Sequence, residues 1–244
     1  MPAKHLQIPL PGSAGAPAPA GALEERAFSQ GFRCVAGLDE VGRGPLAGPV
    51  VAAAVVFPRG YRNPEIKDSK LLAPGRREAL ADAIKRDAIG WGIGVVGVEE
   101  IDRINILRAT LLAMAKALLA MRPLPDLLLI DGRETIGPEL LFERYRSGVL
   151  PHQRTVVKGD RVCVSIAAAS ILAKVARDAL MIEIDKAHPE YGFALHKGYG
   201  CAAHLEALRR LGPSPFHRRS FRPVREACAA AGDGPDLPLL RARR

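Results

Sequence analysis

The sequence predicts an α/β domain: a sheet whose early strands follow one another directly and whose later strands alternate with helices. Three observations predict it. Apolar runs at 34–38 and 50–57 are separated by a glycine- and proline-rich turn, and a third run lies at 90–98. Shorter runs at 126–130 and 155–157 are separated from the others by helical patterns. Strand runs giving way to strand–helix alternation belong to helix-covered sheets. With 244 residues, the chain suits one domain with appendages and can bury a core without staples.

Taken in order, residues 1–28 are rich in Ala, Pro and Gly and poor in large apolar groups. Such a segment buries too little surface to offset its ordering entropy, so it reads as a disordered tail. Residues 29–231 form the folded domain, and 232–244, ending in three arginines, read as a second, basic tail. Strands at 34–38 and 50–57 flank the turn 39–49. A helix over 74–88 starts at Pro74, a residue suited to the first helical turn. The strand at 90–98 follows. Ile101, Ile104, Leu107, Leu111, Met114 and Leu118 recur at spacings of three and four, which predicts one amphipathic helix over 99–121. The short strands at 126–130 and 155–157 end just before Asp131 and Asp160. A long helix over 162–187 and shorter ones over 201–211 and 224–230 complete the chain. No internal repeat is present.

Bulk properties narrow the function. The formal net charge is +9, which favours phosphate backbones and says little about fold. Arg209, Arg210, Arg218, Arg219, Arg222 and Arg225 crowd the C-terminal part and make a candidate duplex-binding patch. Cys34, Cys163, Cys201 and Cys228 form no CxxC pair and no zinc spacing, so free thiols are expected. No stretch reaches the roughly 18 apolar residues of a membrane span. The first 30 residues carry no signal-peptide pattern, so a cytoplasmic location is expected by default.

The chemistry-bearing stretch is 38–49, Leu-Asp-Glu-Val-Gly-Arg-Gly-Pro-Leu-Ala-Gly-Pro. Successive strand residues face opposite ways, so Asp39 and Glu40 reach one site only at a strand end. Two carboxylates there repel unless a cation lies between them, and hard cations such as Mg²⁺ take oxygen ligands together with substrate phosphates. The glycines leave Arg43 and bare N–H groups facing whatever docks, an arrangement that suits phosphate. Asp131 and Asp160 also lie just past strand-like runs. Sites in open α/β sheets form outside strand ends, where loops converge.

With its neighbours, this stretch resembles the bacterial ribonuclease HII family. The resemblance rests on Leu38 to Pro49, on Asp68-Ser69-Lys70-Leu71-Leu72, on Ile101 to Leu107 with Ala109-Thr110, on Ile130-Asp131-Gly132 and on Lys158-Gly159-Asp160. It continues through Ser165 to Asp178, Tyr191-Gly192-Phe193 and His196 to Gly200. Order and spacing agree from about residue 33 to about 226. Val41 stands where alanine is common, and Cys201 where threonine is usual; neither replaces a metal ligand.

The resemblance implies a ribonuclease H-like mixed five-stranded sheet flanked by helices, with a C-terminal helical extension. It implies a monomeric endonuclease that cuts RNA–DNA hybrids, and the 5′ side of single ribonucleotides in duplex DNA, leaving 3′-hydroxyl and 5′-phosphate ends. That activity would serve ribonucleotide removal from DNA. It implies Mn²⁺ or Mg²⁺ held by Asp39, Glu40, Asp131 and Asp160. Asp178 competes for the fourth place, although Lys174 four residues earlier offers it a local ion pair. Asp102 is a weaker rival, near a helix start where a carboxylate suits the macrodipole. Gly42, Arg43 and Gly44 match the family turn that reads the strand beside the ribonucleotide. Tyr199, between glycines, is the candidate for sensing the 2′-hydroxyl that distinguishes RNA from DNA. Ser69, Lys70, Lys174 and Lys197 are candidate phosphate contacts. His196 and His217 suit structural or phosphate roles. The competing readings are a non-catalytic nucleic-acid-binding module and the sister ribonuclease HIII, which carries a folded N-terminal domain.

Overall fold

Strand β1 (Val35–Val41) becomes the centre of a sheet because its neighbours on both sides are apolar strands. Through the tight turn it pairs antiparallel with β2 (Val50–Val56), and β2 pairs antiparallel with β3 (Gly90–Val96). On its other side β1 runs parallel to β4 (Leu127–Asp131), which runs parallel to β5 (His152–Val156). The order is β3-β2-β1-β4-β5, a mixed five-stranded sheet. The fold class implied by the resemblance is therefore the one observed. The computed structural model describes residues 21–66, 69, 72–146 and 148–230.

Helices cover both faces of the sheet. Helix α1 is Ala22–Ser29 and α2 is Pro74–Asp87. Helices α3 (Val98–Ile104) and α4 (Ile106–Ala120) follow β3. The short α5 (Pro138–Leu141) lies between β4 and β5. The long α6 (Val164–Ala187) follows β5, and α7 (Phe193–His196), α8 (Ala202–Leu211) and α9 (Arg222–Ala230) form the C-terminal extension. Every residue of β2 is buried. Val50, Ala52, Ala54 and Val56 pack into the core on the α4 face, while Val51, Ala53 and Val55 pack against α2 and α6. Burial on both faces explains why this strand reads as a continuous apolar run rather than an alternation.

Glycines set how closely α4 lies on β3. A Cβ on Gly92 would stand 2.2 Å from the Ala117 carbonyl oxygen, and one on Gly94 2.0 Å from that of Ala113. Backbone meets backbone there, so no side chain fits between.

Three local expectations need correction. Residues 22–29 are not a disordered tail but α1, because tertiary contacts hold what an eight-residue helix cannot hold alone. Leu23 and Ala27 are buried with Val35, Leu127 and Leu129. Glu24 Oε1 accepts from the Ser165 N–H at 2.9 Å, the Ser165 hydroxyl at 2.9 Å and the Cys163 thiol at 3.0 Å. Its carboxylate thereby caps the N-terminus of α6, where unpaired donors and the helix dipole favour negative charge. The helix expected over 99–121 is two helices. Asn105 has φ 71°, and its side chain accepts from the Arg108 N–H at 3.1 Å, starting α4 afresh. The strand expected at 155–157 is the longer His152–Val156, whose polar first residues hid it. The remaining parts of the two expected tails, residues 1–20 and 231–244, lie outside the described residues.

All four cysteines are free. Among the described residues no helix is long and apolar enough to cross a membrane.

Candidate active site

Parallel pairing brings the acids to one edge. Leu38 is level with Ile130 in β1 and β4, so Asp39 and Asp131 follow at neighbouring strand ends. Both fall in register with Val35 and Leu127, whose side chains pack on the α6 side of the sheet. Asp131 Oδ1 accepts from the Gly159 N–H at 2.7 Å, which ties the loop carrying Asp160 to β4. Asp160 itself lies in a 3₁₀ turn, Gly159–Arg161, just after β5.

The charge there is poorly compensated. Asp39 is only 7 % exposed. Burial pushes its carboxyl well above the usual carboxylate range, with Glu40 and then Asp131 adding repulsion. A hydrogen bond from Ser170 and another from the Glu40 N–H, at 2.7 Å, offset only part of this. Glu40 is also raised by burial, against the opposing pull of Arg43, whose guanidinium lies 3.3 Å from Oε1. Among the described residues no group of three or more His, Cys, Asp or Glu side chains is arranged to hold a metal ion by itself. Asp39, Glu40 and Asp131 are gathered at neighbouring strand ends without being closed into a cage, and Asp160 lies on the loop that Gly159 ties to Asp131.

The glycine turn and Tyr199 meet beside these acids. A Cβ on Gly44 would stand 4.0 Å from Tyr199 Cε1, so the bare backbone of the turn faces the tyrosine ring. Arg43, Gly44 and Tyr199 are exposed, and Gly42 is buried beneath them. Gly42 must be glycine: its φ is 94°, and a Cβ would lie 2.2 Å from Arg177 Nε. Together the turn and the ring make an open surface beside a carboxylate cluster.

Other candidates are placed differently. The Ser69 hydroxyl is buried and lies 2.9 Å from the Ser170 hydroxyl, so it supports the partner of Asp39 rather than facing a ligand. Lys70 lies outside the described residues. Lys174 is half-buried and 2.6 Å from Asp178. Asp178 also pairs with Arg77 at 3.2 Å, so both its oxygens are engaged in ion pairs. Lys197 Nζ bonds the Ala194 carbonyl at the edge of the Tyr199 loop. Asp102 accepts from the Arg219 and Ser220 N–H groups at 2.8 and 3.0 Å, anchoring the C-terminal extension. His196 and His217 are structural: His196 Nε2 bonds the Tyr191 carbonyl, and His217 is 2 % exposed. Arg209, Arg210, Arg219, Arg222 and Arg225 are exposed, but Arg218 is fully buried and leaves the expected duplex-binding patch.

Sequence reasoning missed what lies under the turn. Arg177 Nε, Nη1 and Nη2 donate to the carbonyls of Pro49, Lys197 and Ala47 at 2.9, 2.9 and 3.1 Å. Arg218 Nε, Nη1 and Nη2 donate to those of Gly48, Arg43 and Gly42 at 2.9, 3.0 and 2.6 Å. Burial brings the Arg218 guanidinium down to about 9, with Arg177 adding repulsion, so it remains charged at neutral pH. Two cations thus grip the main chain that carries the exposed glycine turn. No spacing signals this, because the partners are backbone carbonyls.

Comparison with known proteins supplies relatives for this arrangement. The family model described as ribonuclease HII matches residues 36–224. A ribonuclease HII of Geobacter sulfurreducens is 52% identical over 204 residues, covering 84% of this chain and 89% of that protein. One of Chlamydia pneumoniae is 48% identical over 212 residues, covering 85% of this chain and 92% of its own. The crystal structure of ribonuclease H2 from Pyrococcus horikoshii OT3 aligns with a TM-score of 0.65 at 27% identity, covering 81% of this chain and 98% of that one. Bst-RNase HIII in complex with Mn²⁺ aligns with a TM-score of 0.62 at 25% identity, covering 84% and 72% of the two chains.

Proposed function

The chain belongs to the ribonuclease HII family and is a ribonuclease H endonuclease, and from that premise we propose that it cuts on the 5′ side of ribonucleotides, in RNA–DNA hybrids and singly within duplex DNA, using divalent metal ions. The observation that carries the metal dependence is the buried, mutually repelling set at the strand ends. Burial and repulsion from Glu40 and Asp131 raise Asp39, and a cation bound among these carboxylates would relieve that repulsion. Carboxylate oxygens are hard donors and fit Mg²⁺ or Mn²⁺. The related HIII structure was obtained with Mn²⁺. Asp39, Glu40, Asp131 and Asp160 are the residues we assign to hold the ions, with substrate phosphate completing the coordination that the acids leave open. Bound there, such ions would lower the pKa of the attacking water and neutralise charge on the leaving oxygen.

The protein's own groups do the rest. The N–H groups of 42–44 and the Arg43 guanidinium orient the phosphate and the strand beside it. The Tyr199 ring stacks on the ribose, and its hydroxyl reads the 2′-hydroxyl; phosphate contacts alone carry no such information. Lys174, Lys197 and Lys70 add phosphate attraction. Water attacks phosphorus, the 3′ oxygen leaves, and the ends are a 3′-hydroxyl and a 5′-phosphate. A 3′-hydroxyl suits extension by a polymerase, and this supports a role in ribonucleotide removal.

The test is turnover of a duplex holding one ribonucleotide beside the matched all-DNA duplex, with Mg²⁺, Mn²⁺ or chelator, and the cut mapped. Cleavage 5′ to the ribonucleotide, only with metal, is expected. Equal cutting of both duplexes would leave only a general nuclease.

A further inference from the structure

The loop carrying Tyr199 and the turn carrying Gly42–Gly44 come from opposite ends of the chain, yet their separation decides whether one nucleotide touches both. Segment 214–218, between α8 and α9, reaches each of them. Its main chain runs along the turn: the Arg218 N–H donates to the Leu46 carbonyl and the Gly48 N–H to the Phe216 carbonyl, both at 2.8 Å, around an antiparallel bridge between Ala47 and His217. The Leu46 N–H in turn donates to the Gly198 carbonyl at 2.8 Å. One arm of the segment is the Arg218 guanidinium on the Gly42 and Arg43 carbonyls.

The other arm is a chain of two histidines. The Ser214 N–H, which can only donate, lies 2.9 Å from His217 Nδ1. That nitrogen therefore accepts, and the proton of a neutral His217 sits on Nε2. Nε2 is 3.0 Å from His204 Nε2, which must accept. The His204 proton is then on Nδ1, 2.9 Å from the Tyr199 carbonyl. Each link has one donor and one acceptor only if both rings are neutral. Burial lowers both, His217 to about 3 with His204 contributing. His196 stacks on His204 with centroids 4.4 Å apart and holds the ring plane.

We propose that segment 214–218 is a strap that sets the distance between Tyr199 and the glycine turn, with Arg218, His217 and His204 as positioning residues for recognition of the ribonucleotide. This rests on the reading above in which Tyr199 and the turn contact that nucleotide. All three side chains are buried and act without facing substrate. His204 and Arg218 work through the carbonyls they hold, and His217 works through His204. Arg218 and His217 belong to the segment and His204 to α8, so the strap holds the turn directly and the Tyr199 loop through His204.

The experiment is a double-mutant cycle in the full chain, with kcat and KM measured on the single-ribonucleotide duplex with Mn²⁺ and melting recorded for each variant. His204→Leu, which removes both bonds of the ring, is expected to lower kcat/KM about tenfold, mostly through kcat, as small misplacements of reacting groups do. His204→Asn keeps a donor for the Tyr199 carbonyl and is expected to restore most of the loss. In a Tyr199→Ala background, His204→Leu should cost less than about twofold, because the group it positions is gone. The same loss in both backgrounds would overturn the proposal, since a merely structural role ignores Tyr199. Should His204→Leu not fold, His217→Leu, which removes the bond to His204 and leaves Arg218 on the turn, is read in the same cycle with the same expectation. Tyr199→Ala with unchanged cleavage would remove the recognition reading itself and the strap with it. Impaired Tyr199→Ala with additive partners would overturn the strap alone.

Discussion

Asp39 and Arg218 are both buried, both ionisable, and both within three residues of Gly42 in contact or in sequence. Asp39 faces other carboxylates and has more repulsion than its hydrogen bonds offset. Arg218 spends its guanidinium on three main-chain carbonyls. The carboxylate edge is electrostatically incomplete, whereas the arginine strap is finished without a ligand. A buried charge that is fully hydrogen-bonded holds structure; one left with like-charged neighbours awaits something from solution. The incomplete region thus lies directly against a completed one, and the second supports the first.

Opposite stability signs would be the sharpest confirmation of that contrast. Asp131→Asn is expected to lower cleavage by more than about a hundredfold, on the scale of losing one electrostatic group in an active site. Its metal-free stability should hold or rise, because a repelling charge is gone. Arg218→Met should do the reverse to stability. It strands three carbonyls at about 1 kcal/mol each, so melting should fall by roughly 6–12 °C in a chain of this size. Thermal melts of the two metal-free variants beside the parent check this. A destabilised Asp131→Asn would show that the carboxylate edge is already satisfied.

A smaller effect separates two aspartates. Asp178 is held by Lys174 and Arg77, so Asp178→Asn is expected to act through stability, by about 1 kcal/mol, with most activity kept. Asp160→Asn should keep stability and lose activity. Single-turnover cleavage and melting of both variants decide it. The reverse ranking would move the fourth acid from the loop after β5 to α6.

The smallest effect is a slope. The Asp39 pKa is raised on folding, so the native state binds the extra proton, and this contribution gains stability as pH falls through the raised value toward the unfolded one. His217 is lowered to about 3 from 6.5, so the unfolded state binds the extra proton, and stability is lost as pH falls from 6.5 toward 3. The two regions oppose each other on acidification. Asp39→Asn removes the gain and keeps the loss, so its metal-free stability should fall more steeply below pH 6.5 than the parent's. Denaturant melts at pH 7, 6, 5 and 4 measure it; parallel curves would remove the contrast.

Much of the carboxylate edge was legible because strand ends are legible. The fully buried β2 leaves an unbroken apolar run, the turn announces itself by glycine and proline, and acids just past such runs stand out. The strap was not legible. Arginine ordinarily marks surface, and Arg218 sits among exposed arginines in sequence. Only the third dimension brings the carbonyls of 42, 43 and 48 to it. Helix α1 was hidden for a related reason: Glu24 stabilises it through the start of α6, more than a hundred residues away. The break at Asn105 was hidden because Ile101, Ile104, Leu107 and Leu111 keep their spacing across it, and a left-handed residue leaves no trace in an apolar stripe.

The glycines of β3 carry a further consequence. Where side chains interdigitate between a helix and a sheet, warming loosens the layer by letting rotamers change. Gly92 and Gly94 place α4 directly on the strand's main chain, so that contact has no rotamers to unlock. Its spacing is set by the van der Waals radii of backbone atoms, which do not soften. On this side the sheet should expand little with temperature, and amides in the middle of α4 should be among the last to exchange with solvent.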